Sequence, residues 1–242
     1  MNSGLVKKGL VLGIIILLIE VGIMQSSGGT YNEKESIRPL LGGNTLYVGG
    51  TGPENYTKIQ DAINDSVDGD TVFVYDDSSP YFENIIVNKS INLIGEDKHT
   101  TVIDGRGSGD VVSVSMDWVN ISGYTIRNSG DGHSFPPNAG IKINSNFNTI
   151  TGNTISNNNY AIYLYHAYKN IIQKNNLLNN ERDAFFFGSS NNQWNQNYWN
   201  RPRILPKLIL GQISCRVQIP PVIIYIPWLN IDWRPAIKSH DI

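Results

Sequence analysis

The sequence predicts an all-β chain that folds as a single right-handed parallel β-helix of about 22 residues per coil. Short strand-like segments alternate with turns rich in Asn and Gly, and apolar residues occupy every second position within those segments. Corresponding asparagines recur 22 residues apart (153, 175, 197). A single coil cannot bury its inward side chains, so stacked coils must form the core, as in a solenoid.

The repeat is clearest in the C-terminal half of the chain. Asn148 to Ile155 is echoed by Asn170 to Leu177 and by Asn192 to Trp199. We predict that three repeating asparagines stack at one turn as an internal amide ladder: Asn153, Asn175 and Asn197. Asparagine tolerates the left-handed conformation that a sharp bend requires, and its amide can bond to the neighbouring coil. A structural role is therefore expected for all three.

The sequence predicts four segments with the following roles. Residues 1–27 are an export signal, either cleaved or retained as an N-terminal anchor, because two lysines precede an apolar stretch shorter than a membrane span. Residues 28–43 form a Gly/Ser-rich linker, and residues 44–200 form the β-helix. Residues 201–242 form an irregular C-terminal cap, since prolines recur there. A partner-binding or membrane-surface strip is the alternative for this tail.

One short helix is expected before the regular coils. Ile59, Ala62, Ile63 and Val67 fall on one helical face, which predicts a helix over residues 57–67. The pattern Thr57-x-x-Gln60 has the form of a capping box. This helix would cap the N-terminal end of the solenoid.

Charge and cysteine content exclude some classes of function. The net charge is −2, and Lys and Arg do not cluster outside the N-terminus, which argues against nucleic-acid binding. The single cysteine, Cys215, cannot form an internal disulfide. Four glycosylation sequons, at Asn55, Asn64, Asn88 and Asn120, suit an exported protein but are common by chance in an Asn-rich chain.

Two parts of the repeat carry a family resemblance. The segments from Tyr56 to Ile63, Asp68 to Val74 and Ser90 to Gly95 resemble the opening coils of pectin-lyase-like β-helix proteins. The later Asn-rich coils resemble the NosD-type repeats of archaeal and bacterial surface proteins. The resemblance implies the fold and a secreted or cell-surface location, with membrane contact only through the N-terminal segment. It implies no particular activity, because this architecture hosts lyases, hydrolases, esterases, epimerases and non-catalytic adhesins.

The alternation along the strands predicts no catalytic carboxylates. The outward ladder on one sheet is predicted to be Ser113, Lys142, Tyr163 and Phe186. Asp110 and Asp183 lie three coils apart, roughly 14 Å at strand spacing, whereas glycosidase acids lie about 5–9.5 Å apart. A polysaccharide lyase or epimerase stays open as an alternative, because a register error of one residue would exchange inward and outward faces.

The chain has an incomplete resemblance to pectin methylesterases. The fragments Asp183 to Gly188 and Asn200 to Pro202 resemble nucleophile and arginine motifs of pectin methylesterases. Ala184, however, occupies the position next to the acid where the motif has another residue. The arginine also follows within a dozen residues instead of several coils later, so we predict no esterase activity.

No metal site is predicted. The NosD resemblance implies copper delivery as an alternative function, but soft copper needs gathered Cys, Met or His ligands. The four histidines are scattered along the chain: His99, His133, His166 and His240. Calcium could bind near Asp68 and Asp70 or near Asp76 and Asp77, although ordinary turn acids explain these residues equally well.

The remaining candidate is a binding surface. Lys142, Tyr163 and Phe186 are predicted to stack on adjacent coils, flanked by Tyr165 and His166. Flat aromatic faces with polar neighbours suit sugar rings, while a stack that only stiffens the sheet is the alternative. The working hypothesis is a non-catalytic, structural or glycan-binding surface protein whose partner is a polysaccharide or cell-envelope glycan.

Overall fold

The computed structural model describes residues 42–131, 136–218 and 221–241. The export signal, most of the linker and His133 lie outside the described residues. The predicted parallel β-helix is confirmed: strands of successive coils pair in parallel on three faces. Each regular coil contributes one short strand to each face, and the turns between the strands form the corners.

The strands of the three faces are as follows. Face A contains β3 (Ile85–Val87), β6 (Val112–Val114), β9 (Ala139–Ile143), β12 (Tyr160–Tyr165) and β15 (Arg182–Phe187). Face B contains β1 (Thr45–Val48), β2 (Thr71–Val74), β4 (Asn92–Gly95), β7 (Asn120–Ser122), β10 (Thr149–Thr151), β13 (Ile171–Gln173) and β16 (Gln193–Asn195). Face C contains β5 (Val102–Asp104), β8 (Thr125–Arg127), β11 (Thr154–Ser156), β14 (Asn176–Leu178) and β17 (Tyr198–Trp199).

The core is built from aligned stacks of apolar side chains that point into the solenoid. On face C, one residue of each strand stacks directly over its counterpart: Ile103, Ile126, Ile155, Leu177 and Trp199. All five are buried. Because full burial of such a side chain contributes about 1.5–3 kcal/mol, every added coil extends the same core and stabilises the coil before it.

The asparagine ladder forms at the corner between faces B and C. The backbone amide of Asn153 donates to Oδ1 of Asn175 at 3.1 Å, and that of Asn175 donates to Oδ1 of Asn197 at 3.1 Å. The side-chain Nδ2 of Asn175 donates to the carbonyl of Ile150 at 2.9 Å. All three asparagines are fully buried. They therefore replace, inside the corner, the hydrogen bonds that the bent backbone cannot make to itself.

The left-handed residue at this corner is not the asparagine that we expected. Positive φ angles occur one position earlier, at Gly152 (66°), Lys174 (54°) and Gln196 (55°). A left-handed residue costs a non-glycine side chain roughly 1–2 kcal/mol. The following asparagine offsets that cost with its amide hydrogen bonds. We assigned both the left-handed backbone conformation and the amide hydrogen bonds to the asparagine. In the structure the preceding residue adopts the left-handed conformation, and the asparagine makes the hydrogen bonds.

Two further ladders hold the other corners. At the corner between faces A and B, Asn148, Asn170 and Asn192 are linked in the same manner, at 2.8 and 2.9 Å from backbone amide to Oδ1. After face C, the amide of Asn158 donates to Oδ1 of Asn180 at 3.0 Å. In the coils from Asn148 onward, all three corners are therefore fixed by stacked asparagines.

The N-terminal helix is shorter than predicted and differs in its cap. Helix α1 spans Ile59–Asp65, and its N-cap residue, Lys58, makes no side-chain capping bond. Glu83 from the following segment caps it instead, accepting from the amides of Ile59 at 2.9 Å and Gln60 at 3.0 Å. A carboxylate with two acceptor oxygens satisfies two free amides and suits the positive end of the helix dipole. The predicted capping box was therefore wrong.

The C-terminal segment is a β-hairpin, where we expected irregular structure. Strands β18 (Lys207–Gln218) and β19 (Pro221–Asp232) pair antiparallel along their whole length. Strand β18 continues face A by pairing with β15, and β19 continues face B by pairing with β16. Ile209 is buried in the main core. The hairpin thus adds one more rung to two faces and covers the end of the last coil.

Prolines are compatible with β19 because of the direction in which its backbone groups point. Pro227 pairs with Gln212, and the carbonyl of Gln212 accepts from Gly188 on the opposite side, at 2.7 Å. Backbone groups of this pair therefore point away from each other. Pro227 loses no bond to β18, and Pro221, six residues earlier, has the same orientation.

Asp232 ends the ladder between faces B and C. Its carboxylate is fully buried and accepts from the backbone amide of Asn197 at 3.0 Å and from Nε1 of Trp199 at 3.0 Å. The amides of Gln196 and Arg234 also donate to it, both at 3.2 Å. Asp232 occupies the position that an asparagine would take in a further coil.

Replacement of Asn175 by alanine tests the ladder. The change leaves the amide and Nδ2 of Asn153 without their acceptor and frees the carbonyl of Ile150. We expect a loss of about 3 kcal/mol in the free energy of unfolding, measured by urea denaturation. Asn144→Ala, at an exposed position, is the control and should change it by less than about 0.5 kcal/mol. Equal effects of the two substitutions would contradict the ladder.

Replacement of Asp232 by alanine tests the terminator. Four residues that donate to this carboxylate would lose their buried acceptor, so we expect a loss of about 3 kcal/mol. The measurement is thermal unfolding followed by circular dichroism. Asp241→Ala, at an exposed carboxylate, should leave the midpoint almost unchanged. An unchanged midpoint for Asp232→Ala would show that the hairpin does not close the ladder.

Candidate functional site

The outer surface of face A carries a continuous group of aromatic side chains. We name it the aromatic strip, and it consists of Tyr160, Tyr163, Tyr165, Phe185 and Phe187. Residues alternate between the two sides of a strand, which places Tyr163 and Tyr165 of β12 outward together with Phe185 and Phe187 of β15. Tyr160 does not follow this alternation, because the pairing of β12 skips Ala161, and its ring packs edge to face on Tyr163 with centroids 5.7 Å apart. Tyr163 stacks on Phe185 with ring centroids 6.0 Å apart, and Tyr165 stacks on Phe187 at 5.6 Å. The strip forms a second apolar cluster, separate from the core.

The predicted position of Phe186 was wrong. Leu164 of β12 pairs with Phe186, and Tyr163 pairs with Phe185. Phe186 is fully buried in the core, while Phe185 occupies the outward position that we assigned to Phe186. The predicted outward ladder placed Phe186 23 residues after Tyr163. The 22-residue repeat of the asparagines, applied to Ile162, would have placed Ala184 inward and given the observed register.

Tyr163 is covered by its neighbours. Only 1% of the residue is exposed, and its hydroxyl has no hydrogen-bond partner in the described part of the chain. Burial raises the pKa of Tyr163, and the neighbouring Tyr160 and Tyr165 raise it further. A side chain in this environment supports the packing of the strip and offers little surface to a ligand.

Lys142 lies beside the strip but is already engaged. Its Nζ lies 3.1 Å from Oδ2 of Asp110, and both side chains are mostly buried. Oδ1 of the same aspartate accepts from the amide of Ala139 at 2.8 Å. Lys142 and Asp110 therefore form a neutral pair that closes the N-terminal side of the strip.

The accessible part of the aromatic strip lies on the side away from Lys142 and Asp110. Tyr165 is half-buried and His166 is exposed, and their rings meet edge to face with centroids 4.5 Å apart. Gly188 makes the close approach of His166 possible, because a Cβ there would lie 2.5 Å from the imidazole. Phe185 is half-buried as well. Aromatic faces next to a polar imidazole are suited to the apolar faces and hydroxyls of a sugar.

The guanidinium of Arg182 adds a cation to the strip. Its Cζ lies 5.3 Å from the centroid of the Tyr160 ring. Tyr160 of β12 pairs with Ala139 of β9 on one side and with Arg182 of β15, not with Asp183, on the other. The register of face A therefore places a cation, and not an acid, beside Tyr160.

Asp183 lines a separate cleft of about 350 Å³, which sequence reasoning missed. Its Oδ2 lies 2.7 Å from Nζ of Lys207 on β18. The other charged residues of the cleft are Glu181, Arg201 and Arg203. The motifs containing Asp183 and Arg201, which we set aside because of their short spacing, do meet in space. The hairpin supplies Lys207, and no repeat in the sequence could have indicated that contact.

Three of the four aspartates considered for calcium bind backbone amides, and the fourth, Asp76, accepts from the hydroxyl of Thr100 at 2.6 Å. Asp70 is buried and accepts from the amides of Asn44 and Val67, at 2.7 and 2.8 Å. Asp68 accepts from the amide of Ser90 at 2.8 Å, and Asp77 from that of Gly50 at 2.9 Å. Within residues 42–131, 136–218 and 221–241, no group of three or more His, Cys, Asp or Glu residues is placed to hold a metal ion.

Comparison with known proteins does not identify the chain: no protein-family model and no curated protein matches its sequence. Among the described residues, none of the helices has the length and apolar character needed to cross a membrane. The fold is therefore established by the structure, and the function must be argued from the surface.

Replacement of Tyr163 by phenylalanine tests the packing of the strip. Removal of a buried hydroxyl without a partner should leave the free energy of unfolding unchanged at pH 7 or raise it by up to about 1 kcal/mol. The unfolded tyrosine ionises near pH 10, whereas the folded one stays neutral there. Wild-type stability should therefore fall as the pH rises above about 10, and Tyr163→Phe should lose less.

The measurement is urea denaturation at neutral pH and at a pH above about 10. Tyr47→Phe, at an exposed tyrosine on face B, is the control and should follow the wild type at both values. A marked destabilisation by Tyr163→Phe at neutral pH would show that the hydroxyl has a partner.

Proposed function

We propose that the chain is an exported or cell-surface protein whose solenoid is non-catalytic and binds a glycan at the aromatic strip. The accessible rings of Tyr165 and Phe185, with the imidazole of His166 beside them, carry this proposal. Pyranose rings present apolar C–H faces that pack on aromatic surfaces, and their hydroxyls need polar neighbours. The family assignment to pectin-lyase-like proteins with NosD-type repeats belongs to the same proposal.

The spacing of the strip supports an elongated ligand. Neighbouring coils lie about 4.8 Å apart, and β12 and β15 each contribute rings to two outward rows. A chain of sugars could therefore lie across the coils and contact rings of both strands. Lys142 and Arg182 flank the strip with positive charge, although Asp110 neutralises Lys142. This arrangement favours neutral or weakly acidic polysaccharides.

The acids near face A support a non-catalytic role. Asp110 and Asp183 each form an ion pair with a lysine, at 3.1 and 2.7 Å. The carboxylate of Asp110 uses both of its oxygens within the protein, since Oδ1 also accepts from the amide of Ala139 at 2.8 Å. Glu181 is hydrogen-bonded by Nδ2 of Asn159 at 2.6 Å. The polysaccharide lyase or epimerase alternative would have to use the cleft that contains Asp183.

Replacement of Tyr165 by alanine tests the glycan proposal. A polysaccharide array first identifies the glycan that the wild type binds best. We expect the affinity for that glycan to fall by roughly fivefold, since one stacking ring contributes about 1 kcal/mol. Each measurement is made with and without calcium. Tyr163 is a poor choice for this test, because its replacement would open a cavity and perturb the fold.

Tyr47→Ala is the matched control. Tyr47 is 42% exposed and stacks on Tyr75 at 6.0 Å, at the other end of the solenoid. Equal losses of affinity in Tyr165→Ala and Tyr47→Ala would show that the aromatic strip is not the glycan-binding site. Turnover of a bound polysaccharide that disappears in Asp183→Asn would contradict the non-catalytic part and assign the chemistry to the cleft.

A further inference from the structure

The cleft of about 350 Å³ beside Asp183 lies at the last corner of the solenoid. We name it the end cleft, and its charged lining residues are Glu181, Asp183, Arg201, Arg203 and Lys207. The two arginines lie on the segment that links β17 of face C to β18 of face A. The end cleft therefore forms only where the solenoid passes into the hairpin.

The sequence Arg201-Pro202-Arg203 directs two guanidinium groups to the same wall of the end cleft. A residue before proline is restricted to extended backbone conformations, and residues two apart in an extended segment point to the same side. The amide of Arg201 donates to the carbonyl of Trp199 at 2.7 Å, which holds the start of this segment against the last coil. Two cations are thereby kept next to each other.

Neither guanidinium is neutralised within residues 42–131, 136–218 and 221–241. The side chains of Arg201 and Arg203 form no ion pair and no hydrogen bond there, and the Nε of Arg203 is buried without a partner. A guanidinium has five N–H donors and no acceptor. A buried donor without an acceptor is costly, and more so when it is charged. An anionic acceptor in the end cleft would therefore stabilise both arginines.

The arginines within the solenoid itself all have partners. Arg127 pairs with Asp104 at 2.8 Å, and the Cζ of Arg106 lies 3.8 Å from the centroid of the Phe82 ring. Arg182 lies over the ring of Tyr160, as described above. The unpartnered guanidinium groups are thus a particular property of the end cleft.

The charged groups of the end cleft leave one net positive charge. Nζ of Lys207 lies 2.7 Å from Oδ2 of Asp183, so these two side chains neutralise each other. Glu181 carries the other negative charge, and its Oε2 already accepts from Nδ2 of Asn159 at 2.6 Å. The two arginines exceed this glutamate by one charge. The balance disfavours a metal cation and fits a single anionic group.

We propose that the end cleft binds one oxyanion group, a carboxylate or a sulfate ester, that is carried by a larger ligand. The planar fork of a guanidinium matches paired oxygens and forms charge-assisted hydrogen bonds with them. Asn200, which also lines the cleft, supplies a further donor: its Oδ1 accepts from the amide of Asn179 at 3.2 Å, and this leaves its Nδ2 for a ligand. A volume of about 350 Å³ is in the range of small-molecule sites, so part of the carrier fits as well.

A nucleic acid fits the end cleft less well. Its binding requires several phosphates to be neutralised along an extended basic surface, whereas these cations are confined to one corner and are accompanied by two acids. Oxyanion binding here does not depend on the glycan proposal, because the accessible rings of Tyr165, Phe185 and His166 do not line the end cleft.

Three polymers with the same sugar backbone test the charge of the ligand: dextran, carboxymethyl dextran and dextran sulfate. Biolayer interferometry measures binding of the full chain to each immobilised polymer at low and at physiological salt. We expect one of the charged polymers to bind at least roughly tenfold more tightly than dextran. The tighter of the two identifies the group as a carboxylate or a sulfate. The advantage should shrink at physiological salt, because partly exposed charges are screened.

Replacement of Arg203 by glutamine tests the site. Loss of the guanidinium should raise the dissociation constant for the preferred charged polymer by roughly tenfold and leave that for dextran unchanged. Arg234→Gln, at an exposed arginine beyond β19, changes the net charge equally and is the control, which should match the wild type. Circular dichroism melting of each variant checks that the solenoid is intact.

Replacement of Asp183 by asparagine should act in the opposite direction. Without this carboxylate Lys207 is released and the end cleft gains a positive charge, so the preferred polymer should bind severalfold more tightly. A folded Asp183→Asn variant that binds no more tightly than the wild type would place the anion elsewhere. Equal binding to all three polymers, or equal losses in Arg203→Gln and Arg234→Gln, would overturn the proposal.

Discussion

The hydrogen bonds inside the corners of the solenoid are the constraint on which the rest of the structure depends. A coil that turns three times must bend its backbone away from regular pairing, and buried amides without partners are costly. Stacked asparagines meet this need, because each side chain accepts from one coil and donates to a backbone carbonyl of another. Asn175, between Asn153 and Asn197, does both. The strands of faces B and C can remain only two to four residues long because the corners are fixed.

The same ladder sets the register of every face. From Asn153 to Asn175 to Asn197 each coil has 22 residues, so equivalent side chains stack directly. Asn153 also accepts from the amide of Tyr124, 29 residues earlier, so the ladder tolerates a longer coil when the extra residues form a loop. The apolar stacks then align as well, because coils of equal length bring equivalent residues next to each other. Lysine and glutamine at left-handed positions, such as Lys174 and Gln196, are tolerated because the ladder offsets their strain.

What could be predicted from the sequence follows from this constraint. The period, the strands and the ladder residues were readable because they repeat, and repetition is visible in one chain. The position of Phe186 was not read correctly, because three consecutive phenylalanines make the inward and outward positions of β15 look alike. The cap of α1 by Glu83 was also missed, since it joins residues 24 positions apart that no repeat connects.

The candidate site was only partly predictable for a related reason. Outward residues are not constrained by the ladder, so their pattern differs from coil to coil. Tyr163, Tyr165 and His166 were placed on the correct face, but their exposure depends on neighbours. Tyr163 is covered by Phe185 and Tyr160, a contact that follows from the register of two strands and not from either strand alone. The cleft around Asp183 depends on Lys207 of the hairpin, beyond the last repeat.

The two strands of the hairpin have different effects on the end of the solenoid. Asp232 ends the ladder between faces B and C with a carboxylate, which accepts hydrogen bonds but cannot donate them to a further coil, so the solenoid stops growing there. Strand β18, by contrast, continues face A and extends its edge past the end of β15. The prolines of β19 protect one edge of this extension and leave the other open. The hairpin therefore closes the ladder between faces B and C and, through its prolines, protects the strand edge that it adds on β19.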